Sequence, residues 1–154
     1  MKQGGAGSLT RLGDVFTLDL GNVLLGGSIS TSLAVLNDVL GPADLLDGSF
    51  DLSGVDDFVL SGFTSFAGLG AGDLFGGLLA ALNGQSLGVF TDTIGLTALG
   101  HNASGFTEPF NLALVLRGTV VSSQVPEPGS VALVALALAT LAGLRRRAKR
   151  PMSH

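Results

Sequence analysis

The chain has 154 residues, enough for one domain and an appendage, and a formal net charge of −4. It contains no Cys, Trp or Tyr and two His, which excludes a thiolate zinc site, a disulfide framework and a Cys nucleophile. Residues 1–124 hold three basic side chains against eleven acidic ones, a net of −8, and such a body repels phosphate backbones, so no nucleic-acid partner is expected.

In chain order, residues 1–13 open with Met-Lys-Gln-Gly-Gly-Ala-Gly-Ser-Leu-Thr and read as a flexible N-terminal segment. From residue 14 the dominant signal is alternation with a period of two, the mark of half-buried strands. Phe16, Leu18 and Leu20 face one way with Thr17 and Asp19 opposite. Ile29, Leu33 and Val35 alternate with Ser30, Ser32 and Ala34. Phe50 and Leu52 flank Asp51, and Phe58 and Leu60 follow the turn at residues 54–57. Leu74, Leu78 and Leu82 have helical spacing, but Gly76-Gly77 interrupts it, and the strand reading through Leu78, Ala80 and Leu82 suits the context better. Asn83-Gly84 predicts a hairpin-type turn. In the run Phe90, Asp92, Ile94, Leu96 and Ala98, the carboxylate of Asp92 breaks the apolar face, so the inner face is expected to begin at Ile94. The longest strand covers residues 110–121, with Phe110, Leu112, Leu114, Leu116 and Val120 inward. Several short strands between Gly/Asn/Asp/Ser clusters predict an all-β sandwich over residues 14–122.

Candidate sites in this body are few. Gly68-Leu69-Gly70-Ala71-Gly72-Asp73 has the glycine spacing of a nucleotide loop but no strand–helix unit and no nearby Lys, so it reads as a loop. His101 lies in a turn-like stretch, and no Gly-x-Ser-x-Gly elbow accompanies it. Glu108 has no carboxylate partner identifiable from sequence. Asp44, Asp47, Asp51, Asp56 and Asp57 lack the spacing of a calcium loop and suit solvated turns, with Ca²⁺ binding as the alternative. Asn102-Ala103-Ser104 fits the glycosylation pattern by chance. No cofactor or metal site is expected, and the body reads as non-enzymatic.

The segment Leu18-Asp19-Leu20-Gly21-Asn22-Val23-Leu24-Leu25-Gly26, the run ending Leu33-Ala34-Val35-Leu36-Asn37, the stretch Asp47-Gly48-Ser49-Phe50 and the final Arg117-Gly118-Thr119-Val120 resemble choice-of-anchor D domains. These are immunoglobulin-like sandwiches of bacterial surface proteins. The resemblance covers about residues 14–121 and implies a fold, not an active site.

The end of the chain reverses the charge. Residues 123–130 form a Pro-rich linker. Residues 131–144 are fourteen uncharged, mostly Ala and Leu side chains that predict a helix, with Ser130 placed to cap it. From residue 130 to 144 that helix is roughly 22 Å long, against a hydrocarbon core of about 30 Å. It is apolar on every side and runs into Arg145, Arg146, Arg147, Lys149 and Arg150, within the tail 145–154. A globular core helix keeps a polar face, so a membrane segment is the better reading. The basic cluster stays in the cytoplasm and residues 1–124 lie on the far side.

Pro126-Glu127-Pro128, a short apolar helix and a terminal basic cluster, in that order over about residues 125–150, resemble the PEP-CTERM sorting signal of exported proteins in Gram-negative bacteria. The resemblance implies that Pro126, Glu127 and Pro128 are the recognition motif of a membrane-embedded cysteine protease, an exosortase. That protease would be the partner, with transient residence in the inner membrane before release to the cell surface or extracellular polysaccharide. A stiff stem before a permanent anchor is the alternative. Export needs an N-terminal signal, and residues 1–10 lack the apolar stretch, so an in-frame extension upstream of Met1 is expected. Taken together, the sequence predicts an exported, non-enzymatic surface or matrix protein, with an extracellular ligand- or calcium-binding module as the second reading.

Overall fold

The computed structural model describes residues 1–38 and 44–123. Every regular element among them is a strand. These are β1 (Lys2–Gly5), β2 (Ser8–Leu12), β3 (Val15–Leu24), β4 (Ser28–Leu36), β5 (Leu45–Asp51), β6 (Phe58–Ser61), β7 (Phe66–Leu69), β8 (Leu74–Asn83), β9 (Gly88–His101) and β10 (Thr107–Val121). The predicted helix 131–144 lies outside the described residues.

The strands form two sheets, one ordered β1-β4-β8-β6 and the other β2-β3-β10-β9-β5-β7. The sheet β1-β4-β8-β6 corresponds to the A-B-E-D sheet of the immunoglobulin sandwich, and β10-β9-β5 to its G-F-C sheet. All pairs are antiparallel except β3 with β10, which run parallel with Leu18 beside Leu116 and Val23 beside Val120. The predicted all-β sandwich is therefore the fold. Its core lies between the sheets and is built from the alternating positions of each strand: Leu18, Leu20 and Val23 of β3, Leu78, Ala80 and Leu82 of β8, Ile94 of β9, and Leu116 and Val120 of β10. Phe50 meets Phe63 edge-on at 5.2 Å between ring centroids, and Phe66 stacks on Phe75 at 4.8 Å, which carries the core toward β7.

Residues 1–13 differ from the flexible segment expected of them, because they contribute two strands. β1 lies along β4 in one sheet, and β2 lies along β3 in the other. The change of sheet takes place at Ala6-Gly7. Gly7 has φ +77°, and a Cβ there would sit 2.2 Å from the Asp19 carbonyl oxygen. The glycines that suggested flexibility are thus what lets the strand switch sheets at close quarters. The Thr31 hydroxyl, fully buried, donates to the Ala6 carbonyl and fixes the switch.

Three other expectations change. Asn83-Gly84 does not close a hairpin, since β8 and β9 belong to different sheets. Instead the Gly84 amide donates to the Gly27 carbonyl at 2.8 Å, while the Gly26 amide donates to the Gly84 carbonyl at 2.7 Å, so two crossing loops lock together. Phe110 is on the inward side of β10 but 40% exposed, because the β9–β10 hairpin extends past the opposing sheet. Its ring packs across the ladder onto Gly100, where a Cβ would approach it to 3.2 Å. Finally, the inner face of β9 continues through Asp92, which is 7% exposed.

Candidate functional site

Pro126, Glu127, Pro128, Arg145, Arg146, Arg147, Lys149 and Arg150, together with the segments 124–130, 131–144 and 145–154, lie outside the described residues. The described part ends at Ser123, just beyond β10, so this strand is what delivers the chain to the sorting segment.

Within the body the polar groups that sequence singled out are mostly engaged in holding the fold. Asp92 is the strongest case. Its Oδ2 accepts three successive backbone amides, from Asp56 at 3.0 Å, Asp57 at 2.9 Å and Phe58 at 3.2 Å. Antiparallel pairing sets Asp92 opposite Leu116, facing the core, while the chain between β5 and β6 crosses from one sheet to the other beside it. A buried carboxylate needs partners of this kind, and charge-assisted bonds to amides are the strong sort. Sequence reasoning missed the role; the available signal was a carboxylate at an inward position of an apolar row.

Asn37 does the same work at the other end of β4. Its amide donates to the Asp73 carbonyl at 3.1 Å, and its carbonyl accepts Gly72 N–H at 2.8 Å. The side-chain Nδ2 donates to the carbonyls of Asp44 at 3.0 Å and Leu69 at 2.9 Å. Gly68 and Leu69 end β7, and Gly70 to Asp73 is the loop between β7 and β8, pinned to β4 through Asn37, so the loop reading holds for the second half of that stretch.

Asp47 and His101 sit on neighbouring strands β5 and β9. Asp47 Oδ1 accepts the Gly68 amide at 2.7 Å, and its Oδ2 lies 3.3 Å from His101 Nε2. That second approach is too poorly aligned for a hydrogen bond, and Nε2 is left without one. The Gly68 amide first, and the His101 ring second, hold the Asp47 carboxyl below its ordinary pKa. Asp51 accepts the Ser53 amide at 3.0 Å in a local turn, which lowers its pKa in the same way. The five acidic residues weighed for Ca²⁺ are thus distributed over a strand and two loops, and among the described residues no three His, Asp or Glu side chains cluster around a metal-sized space.

A cleft of about 260 Å³ opens between the sheets, lined by Leu33, Phe50, Phe63, Ile94, Leu112 and Leu114 among others. Arg11 reaches it from the inner face of the edge strand β2, its Cζ 5.1 Å from the centroid of the Phe16 ring. An inward-facing charge on an edge strand also discourages pairing with a further strand.

Residues 124–147 match the PEP-CTERM protein-sorting motif. The body is similar to the ASH/PapD-like domain of human CEP192, its PapD-like domain 7, with 12% identity, 67% of this chain and 82% of that chain covered, and a TM-score of 0.45. It is also similar to the periplasmic chaperone SfaE, with 12% identity, 71% of this chain and 58% of that chain covered, and a TM-score of 0.28. No curated protein matches the chain.

Proposed function

We propose that this chain is an exported, non-enzymatic surface or extracellular-matrix protein whose C-terminal segment is recognised and cut by an exosortase. The single observation behind this is the motif match over residues 124–147, which contains Pro126-Glu127-Pro128, the apolar run and the first basic residues in the required order. Each part has a physical task. The basic cluster keeps the C-terminus on the cytoplasmic side. The apolar segment parks the chain in the inner membrane. Prolines on both sides of Glu127 narrow the conformations open to it, which suits recognition by a protease. The non-enzymatic reading draws on the use of Asp92 and Asn37, whose polar atoms are spent on backbone groups of the crossing loops.

The test is mass spectrometry of the C-terminus in cells with and without an exosortase. A C-terminus shortened near Pro126-Glu127-Pro128 is expected only where the protease is present. Glu127→Ala is expected to leave the full-length chain in the inner membrane with the body folded. An identical uncut C-terminus in both backgrounds would make the segment a permanent anchor and sink the proposal.

The ligand-module reading has one observation in its favour, the apolar cleft between the sheets. A saturable rise in Tm on adding a medium-chain fatty acid would support it, and no change would remove it.

A further inference from the structure

Three uncharged stretches of the sequence meet at one pole of the sandwich. No charged residue occurs between Asp19 and Asp38, between Asp73 and Asp92, or between Arg117 and Glu127. The fold brings the middle of each to the same end. Leu24 lies beside Val121 across the parallel β3–β10 pair, and Val89 lies opposite Thr119 across β9–β10. The Gly26-Gly27 and Gly84 loops interlock there, and the Leu25 amide donates to the Val121 carbonyl at 2.9 Å. Four large apolar side chains are left open at this pole: Leu24 at 54%, Leu25 at 49%, Leu87 at 57% and Val89 at 77% exposure.

The opposite end also exposes apolar side chains, among them Leu12 and Phe106, but there they stand among Asp14, Glu108 and the Asp47–His101 pair. Asp56 and Asp57 bond Asp92 through their backbone amides but are themselves exposed, and since Phe58 pairs with Leu82 they stand on the β6 edge of the uncharged pole, beside Asn83-Gly84. Away from that edge, the part of the pole built from the β3–β4 and β8–β9 loops carries no charged residue, in a body with a net charge of −8.

The chain leaves the body at this pole. Seven residues, 124–130, separate Ser123 from the apolar run 131–144, and fully extended they reach at most about 25 Å. The 15 residues of β10 span about 50 Å, so the opposite end lies beyond that leash. We propose that the pole formed by Leu24, Leu25, Leu87 and Val89 docks on the bilayer surface while the chain is parked by residues 131–144. This rests on the reading of that run as membrane-embedded. A lipid surface fits because apolar side chains enter the headgroup boundary, whereas desolvating carboxylates there is costly. Docking would hold the linker and its Pro126-Glu127-Pro128 motif close to the outer interface, where a membrane-embedded protease works.

The chain has no cysteine, so single labels are clean. The full chain is reconstituted in phosphatidylethanolamine–phosphatidylglycerol vesicles as Leu25→Cys, Val89→Cys or Ser104→Cys, each carrying an environment-sensitive dye. Flotation reports insertion of the tail, and quenching by lipids with a nitroxide near the headgroup reports contact of the body. Quenching is expected to be several-fold stronger at positions 25 and 89 than at 104. Adding Leu25→Asp and Val89→Asp to a Leu87→Cys chain is expected to lower its quenching to the level at 104 with Tm retained. Equal quenching at all three positions in chains that float would overturn the docking and leave the sorting reading intact. Shielding that follows protein density, without lipid quenching, would assign the pole to a second copy and equally overturn it. A chain that does not float would overturn both readings together.

Discussion

Removing the Asp92 carboxylate tests whether a single buried charge organises the crossing between the sheets. Its Oδ2 is the acceptor for the amides of Asp56, Asp57 and Phe58, and the residue is 7% exposed. In Asp92→Ala the Phe58 amide is left buried and unpaired, at a cost of about 1–3 kcal/mol. The two half-buried amides lose a charge-assisted acceptor that water replaces only in part, about 1 kcal/mol each. The sum, about 3–5 kcal/mol, is that of a broken buried network. In Asp92→Asn an oxygen can stay in the Oδ2 position, so only the charge assistance goes, at about 1–2 kcal/mol. Urea unfolding measures both, and the Ala variant should melt about 12 °C or more below the parent. Asp51→Ala, which removes an exposed local turn contact, serves as the control and is expected to leave the midpoint close to the parent. Hydrogen exchange adds a local readout, with protection lost at residues 56–58 before the rest of β6. An Asp92→Ala chain within about 0.5 kcal/mol of the parent, as for an ordinary surface substitution, would refute the clamp.

Gly118→Ala places a Cβ 2.5 Å from Leu82 Cδ2, between two packed sheets, and is expected to cost about 1–3 kcal/mol of stability in the same unfolding assay. The Asp47 carboxyl is held below its ordinary pKa of 3.8 by the Gly68 amide and then by His101, so its contribution is fully present above that value and is lost as pH falls through the lowered one. Asp47→Asn is therefore expected to make the acid-side fall of Tm shallower below about pH 4. Saturating Ca²⁺ is expected to leave Tm unchanged, where a specific site would add about 2.7 kcal/mol at a hundredfold excess over Kd.

The strands were legible because each buries one face, and alternation records that directly. β3, β4, β8, β9 and the C-terminal half of β10 run where Leu18, Leu33, Leu78, Ile94 and Leu116 put them. What alternation does not encode is the sheet to which a strand belongs. Asn83-Gly84 has the local chemistry of a hairpin turn, yet β8 already pairs with β4 and β6 on its two sides, so β9 has to cross to the other sheet. The same gap hid β1 and β2. Their glycines carry no side-chain pattern, and their pairing depends on Ala6-Gly7 passing within contact of Asp19 and Ser30, which only the folded chain brings together.

The two kinds of site differ in legibility for a related reason. The sorting motif matched over residues 124–147 is a linear pattern, Pro126-Glu127-Pro128 followed by an apolar run and basic residues in order, so the sequence displays the whole of it. Asp92 and Asn37 act through partners that are distant in sequence, with Asp56 to Phe58 lying 34 to 36 residues from Asp92. In sequence Asp92 therefore registers only as an interruption of an apolar face. Burial inverts that reading, since a carboxylate persists inside a sandwich only where amides converge on it. The inward Asp of β9 is thus better read as a marker of where the crossing chain must pass than as the end of the strand's inner face.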